Sequence, residues 1–169
     1  HYHQHVFNMR LDMDVDGESN RVLEVDTVAL PAGEDNPHGN AFTLRETVLP
    51  SELRAQRDVD FHTARFWRVE SSRSVNALGQ PTAYRLEVQN PLPTFSRPGA
   101  SVTRRAAFMS HQLWVTAFDP DELYAAGRYP NQSLGGEGLP AWTSADRSLQ
   151  DTDVVIWHSF GLHHIPRPE

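Results

Sequence analysis

The chain contains no cysteine. That excludes a disulfide framework and any thiolate metal site, so a bound metal would have to be held by imidazole, carboxylate or backbone oxygen. It also leaves the redox compartment open. An excess of positive charge is missing too. The formal net charge is −7, which argues against a nucleic-acid partner, because such binding needs basic clusters to displace counterions. No stretch approaches the roughly 20 apolar residues of a membrane-spanning helix, so no membrane partner is expected. Helical periodicity is scarce, and no repeat in the range of about 20–50 residues is visible.

What is present is a balance typical of folded chains: 38% hydrophobic and 22% charged residues in 169, enough for one domain with a core. Segments with strand character dominate. His3 to Met13 is nearly all strand-compatible, with Val6, Asn8 and Arg10 on one face and Phe7, Met9 and Leu11 on the other. Arg21 to Leu30 alternates in the same way, and Asp14 to Asn20 between them, with Gly17 and Ser19, reads as a hairpin turn. Further candidate strands are Ala41–Leu49, Ala64–Glu70, Tyr84–Val88, Arg105–Phe118 and Val154–Phe160. Asp119-Pro120-Asp121-Glu122 predicts a short helix stopped by Gly127, with an Asp cap and Pro in the first position. Leu139–Leu149 holds a second candidate. Together these predict an all-β, antiparallel β-sandwich with long loops and few short helices.

The chemistry-bearing residues are histidines, nine in all. His3 and His5 are separated by one residue on a strand, so both imidazoles face the same point. Imidazole pairs suit copper, zinc, iron and nickel. A second cluster follows Asp153 in Trp157-His158-Ser159-Phe160-Gly161-Leu162-His163-His164, and spacing does not choose between His158, His163 and His164 as a third ligand. Asp12 and Asp153 are candidates for an oxygen-rich site, although by composition Asp12, Asp14 and Asp16 read as residues solvating a turn. A cupin barrel also uses His-x-His, but it wants a glutamate shortly after the pair, where this chain has Met9 and Arg10.

As a set, these residues resemble the copper amine oxidases. His3-Gln4-His5-Val6-Phe7 with Arg10-Leu11-Asp12-Met13 is similar to the family's first copper strand, and Trp157 to Glu169 to its second copper segment. Asn36 to Phe42, Arg65-Phe66-Trp67, Asn76 to Pro81, Leu113 to Thr116, Tyr129 to Gln132 and Gly138 to Trp142 look like family stretches in the family's order. The resemblance implies copper(II) ligands at His3, His5 and His164. It places His163 where the family usually has threonine, and makes His158 a histidine that precedes the ligand. It further implies a calcium-like second site at Asp12 and Asp153 with the carbonyls of Met13 and Val154.

The resemblance also implies an activity: oxidative deamination of a primary amine by oxygen to an aldehyde, ammonia and hydrogen peroxide, using a topaquinone made from a tyrosine in an Asn-Tyr-Asp/Glu motif. None of Tyr2, Tyr84, Tyr124 and Tyr129 stands in that motif. No catalytic residue is therefore expected in this chain. The expectation is a divided enzyme in which residues 1–169 complete their domain with another, larger chain that carries topaquinone and catalytic base. Because the family forms homodimers, two large and two small chains would make a heterotetramer. A catalytically inert copper-binding β-sandwich or assembly module is the alternative.

Overall fold

The computed structural model describes residues 2–88, 91–129, 131 and 133–167. Pro130 and Gln132 of the Tyr129–Gln132 stretch, and Pro168 and Glu169 of the terminal motif, lie outside the described residues. Among the described residues, seven strands carry the fold: β1 (His3–Met13), β2 (Asn20–Ala29), β3 (Phe42–Val48), β4 (Phe66–Val75), β5 (Pro81–Leu86), β6 (Leu113–Ala117) and β7 (Val154–His164). They form two antiparallel sheets, one ordered β1-β7-β6 and the other β3-β2-β4-β5. One core is shared between the sheets. Val22, Trp67 and Val69 come from the larger sheet, and Leu113, Val115, Val154 and Ile156 from the smaller. A second cluster, with Trp114, Leu139, Val155 and Trp157, packs on the outer face of the smaller sheet. The architecture is the all-β sandwich expected from the pattern of short alternating strands.

Short helices, α1 (Ser101–Arg105) and α2 (Leu139–Trp142), and single 3₁₀ turns interrupt the loops. Three local expectations are corrected. The segment after Met13 is not a hairpin turn, because β1 pairs with β7 while β2 pairs with β3 and β4. Val15 is buried between the sheets and its N–H donates to the Asn20 side chain at 3.0 Å, so the chain crosses from one sheet to the other here. The capping sequence at Asp119 forms a single turn and no helix. Asp121 N–H donates to the Asp119 carboxylate at 2.9 Å, but the Glu122 carboxylate is then taken by Arg147 at 2.8 Å and its carbonyl by Arg10 at 3.2 Å. Tertiary partners override the local start signal. Of Arg105–Phe118 only Leu113–Ala117 is strand; the preceding residues turn as α1 and a 3₁₀ turn over Ala107–Ser110.

Several carboxylates are buried, and each is matched. Glu52 is fully buried and accepts from the Ala117 and Arg147 backbone N–H groups and the Arg147 guanidinium. Asp26 accepts from Arg65 at 2.9 Å, Arg45 at 3.0 Å and Thr63 at 2.9 Å. The Arg65 hydrogen bond in particular holds its carboxyl far below the usual range, against the opposing effect of burial.

Candidate metal centre

The site grows from the register of β1 on β7. His3 stands opposite His164, His5 opposite Leu162, Phe7 opposite Phe160 and Met9 opposite His158. Residues paired in this way share a face, so alternation along both strands puts His3, His5 and His164 on one side. The Nε2 atoms of His3 and His5 are 2.9 Å apart. The ring of His164 lies 4.8 Å from that of His3 and 6.4 Å from that of His5. One ligand atom from each falls within 4.8 Å of the others. Among the described residues, no other group of three or more His, Cys, Asp or Glu side chains converges closely enough to hold a metal ion.

The donor set is three imidazoles with no carboxylate and no thiolate. That composition fits copper, zinc, iron or nickel and is a poor match for calcium or magnesium. Three protein ligands also leave positions open for water or substrate. The residues present therefore fit a copper ion.

The other two histidines left open by spacing lie elsewhere. His163 projects from the opposite face of β7 and packs edge-on against Phe95, ring centres 5.5 Å apart. His158 is buried, with Nδ1 3.1 Å from the Gln112 carbonyl and its ring stacked on Phe160 at 5.8 Å. Burial pushes its pKa down, the Gln112 contact opposing, so a neutral ring is favoured. Between the paired histidines of β1, Gln4 points backwards. Its amide donates to the Pro93 carbonyl at 2.8 Å and accepts from Phe95 N–H at 3.0 Å. This tie and the apolar cavity of about 780 Å³ behind the strand, lined by Val6, Phe95, Met109 and His163 among others, were not visible in the sequence. Alternation alone would have placed Gln4 on the back face, but not its partners in a distant proline-rich loop.

Asp12, Met13, Asp153 and Val154 occupy the far end of the same strand pair. Met13 stands opposite Val154 and Asp12 opposite Val155. The Asp12 carboxylate meets Arg10 at 3.4 Å, and the Asp153 carbonyl accepts from Phe118 N–H at 3.0 Å. Burial first, and then the carboxylates of Asp12, Glu18 and Asp14, push the Asp153 pKa up. The four positions are neighbours, without the tight convergence of the histidines.

A two-sheet sandwich with three imidazoles at one end of its β1–β7 strand pair has the make-up of a metal-binding β-protein. Residues 1–169 match the model of the copper amine oxidase enzyme domain, and the chain belongs to that family. It is 49% identical over 168 residues to a histamine oxidase of Arthrobacter globiformis, covering 99% of this chain and 25% of that protein. It is 46% identical over 173 residues to the peroxisomal copper-containing diamine oxidase 1 of Nicotiana tabacum, covering 99% of this chain and 22% of the relative. Among solved structures, a copper-containing benzylamine oxidase from Hansenula polymorpha superposes with a TM-score of 0.91 at 30% identity, over 98% of this chain and 26% of that one. The chain thus spans about a quarter of the length of the curated relatives it matches.

Proposed function

We propose that this chain is the copper-ligating portion of a primary amine oxidase, with His3, His5 and His164 as the protein ligands. The convergence of those three imidazoles within 4.8 Å carries the reading. Copper and a topaquinone, when bound, supply the redox chemistry that converts a primary amine and oxygen to an aldehyde, ammonia and hydrogen peroxide. The chain's own residues do the positioning. His3 and His5 offer two nitrogens from one strand, His164 offers the third from its neighbour, and the Gln4 tie anchors β1 from behind. Below the cluster, the stacked pair of Phe7 and Phe160, with ring centres 5.7 Å apart, forms an apolar floor that keeps water away once covered.

Topaquinone and catalytic base are assigned to a larger partner chain, in a heterotetramer with two copies of each. Surface area supports a large missing contact. The chain exposes 10826 Å², whereas a folded monomer of 19.1 kDa exposes roughly 8,400 Å² by the area–mass relation. Phe7, Met9 and Leu162, beside the histidines, are 51%, 42% and 53% exposed. A calcium-like ion is assigned to Asp12, Asp153 and the carbonyls of Met13 and Val154, where a hard cation would relieve the carboxylate repulsion on Asp153.

The test is a denaturing gel of protein purified without denaturant, stained for redox-cycling quinone, with copper measured on the same sample. A larger quinone-positive band beside a quinone-negative band of 19.1 kDa is expected, with one copper per small chain. A single quinone-negative band in a copper-loaded preparation would support the inert copper-binding sandwich.

A further inference from the structure

Among the described residues, Gly161 is the one glycine inside a strand. It lies three residues before His164 and stands opposite Val6, the neighbour of His5. A Cβ built on it would come 2.1 Å from the His5 carbonyl oxygen, and 3.2 Å from both the His5 carbonyl carbon and the Val6 Cα. All three are backbone atoms, and the closest contact falls about 0.9 Å short of the 3.0 Å that real Cβ contacts respect. Gly161 has no positive φ, so alanine could adopt its backbone conformation. Space alone forbids a side chain. Glycine within a strand marks such a close backbone approach.

The location gives that approach a purpose. β6 pairs with β7 only as far as Leu113 with His158, and one further backbone bond runs from Ser159 N–H to the Gln112 carbonyl at 2.8 Å, so from Phe160 to His164 the strand pairing is with β1. Tethers along this stretch are the bond from the Asn8 amide to Ser159 Oγ at 3.0 Å and the Phe7–Phe160 stack. We propose that Gly161 is a positioning residue for copper: its missing side chain lets the His5 backbone close on β7, and so sets the span between the His3–His5 pair and His164. This rests on the copper reading above. Any side chain at 161 must displace the peptide that carries His5, the ligand itself, relative to the strand that carries His164.

The experiment compares Gly161→Ala with Gly33→Ala in the assembled oxidase purified without denaturant. Gly33 is a fair control because its Cβ would meet nothing within 4 Å and its φ is ordinary. Copper affinity is measured by chelator competition, and copper geometry by electron paramagnetic resonance of the Cu(II) form. Gly161→Ala is expected to weaken copper binding at least ten-fold and to change the Cu(II) spectrum, while Gly33→Ala matches the wild type in both. A folded Gly161→Ala protein with wild-type affinity and spectrum overturns the proposal. If the alanine variant does not accumulate, Val6→Gly/Gly161→Ala is measured instead, since a glycine on the facing strand lets the His5 peptide tilt away; weakened binding with an altered spectrum is again expected. Failure of both variants to fold also overturns the proposal, by making Gly161 a requirement of folding rather than of copper geometry. Failure of the copper reading is distinguishable: the wild type would hold no stoichiometric copper, or His3→Ala would retain it.

Discussion

His163 and His164 are adjacent in the chain and face opposite sides of β7, one against Phe95 and the other beside His3. Removing each in turn separates them. His164→Ala is expected to abolish stoichiometric copper, as are His3→Ala and His5→Ala, whereas His163→Ala should retain it; metal analysis after dialysis against chelator reads the difference. Asp26 offers a test by pH. Its carboxyl is held low in the folded protein, chiefly by Arg65, so below its ordinary pKa of 3.8 the unfolded chain binds more protons than the folded one. Its contribution is complete above that value and drains away as pH falls through it towards the depressed folded pKa. Denaturant unfolding at pH 5 and pH 3 should therefore show a loss of stability that is smaller in Asp26→Asn. Arg147 is a third case. It satisfies the fully buried Glu52 and also meets Glu122. Arg147→Ala strands a buried carboxylate and should cost about 3–5 kcal/mol in chemical unfolding.

At the scale of elements, β1 was legible to its ends, since His3–Met13 contains neither glycine nor proline and alternates throughout. The face shared by His3 and His5 followed from that alternation alone. Pairing was less legible. Turn residues after Met13 suggested a hairpin because turn chemistry is local, while the true partner of β1 is the far end of the chain, which no spacing reveals. The false helix at Asp119 has the same cause: a local start signal lost to Arg147 and Arg10, residues remote in sequence. His164 emerged from family resemblance rather than from spacing; the register of β1 on β7 is what brings its ring beside those of His3 and His5. The opposite end of that pair carries its own expectation. Asp12→Ala should lower the unfolding temperature of a protein that still loads copper at His3, His5 and His164, because Asp12 sits beside Met13 and Val154 and away from the histidines. Loss of copper in a fully folded Asp12→Ala protein would count against a separate second site.

For the whole molecule, the open edges matter most. Among the described residues, β1 has β7 on one side and no paired strand on the other, and β3 is exposed along its entire length. An edge strand of this length invites pairing or cover. In an assembled oxidase, hydrogen exchange should be slow at β1 amides that point away from β7. In the separated 19.1 kDa chain the same amides should exchange quickly, while those facing β7 stay protected. Equal protection in both forms would mean that no partner covers this edge.

The register of β1 on β7 also governs how the chain is tied together. His3 and His164 lie near opposite ends of the described residues, so a metal ion shared between them closes the whole segment between them into a ring. The entropy of drawing together points so far apart grows with the logarithm of the separation, on the order of 4–5 kcal/mol for about 160 residues. An ion bound there would act as a clasp as well as a reactive centre. Its removal would free β1 and the histidine end of β7 to part first, and the rest of the sandwich would unravel from the site outward.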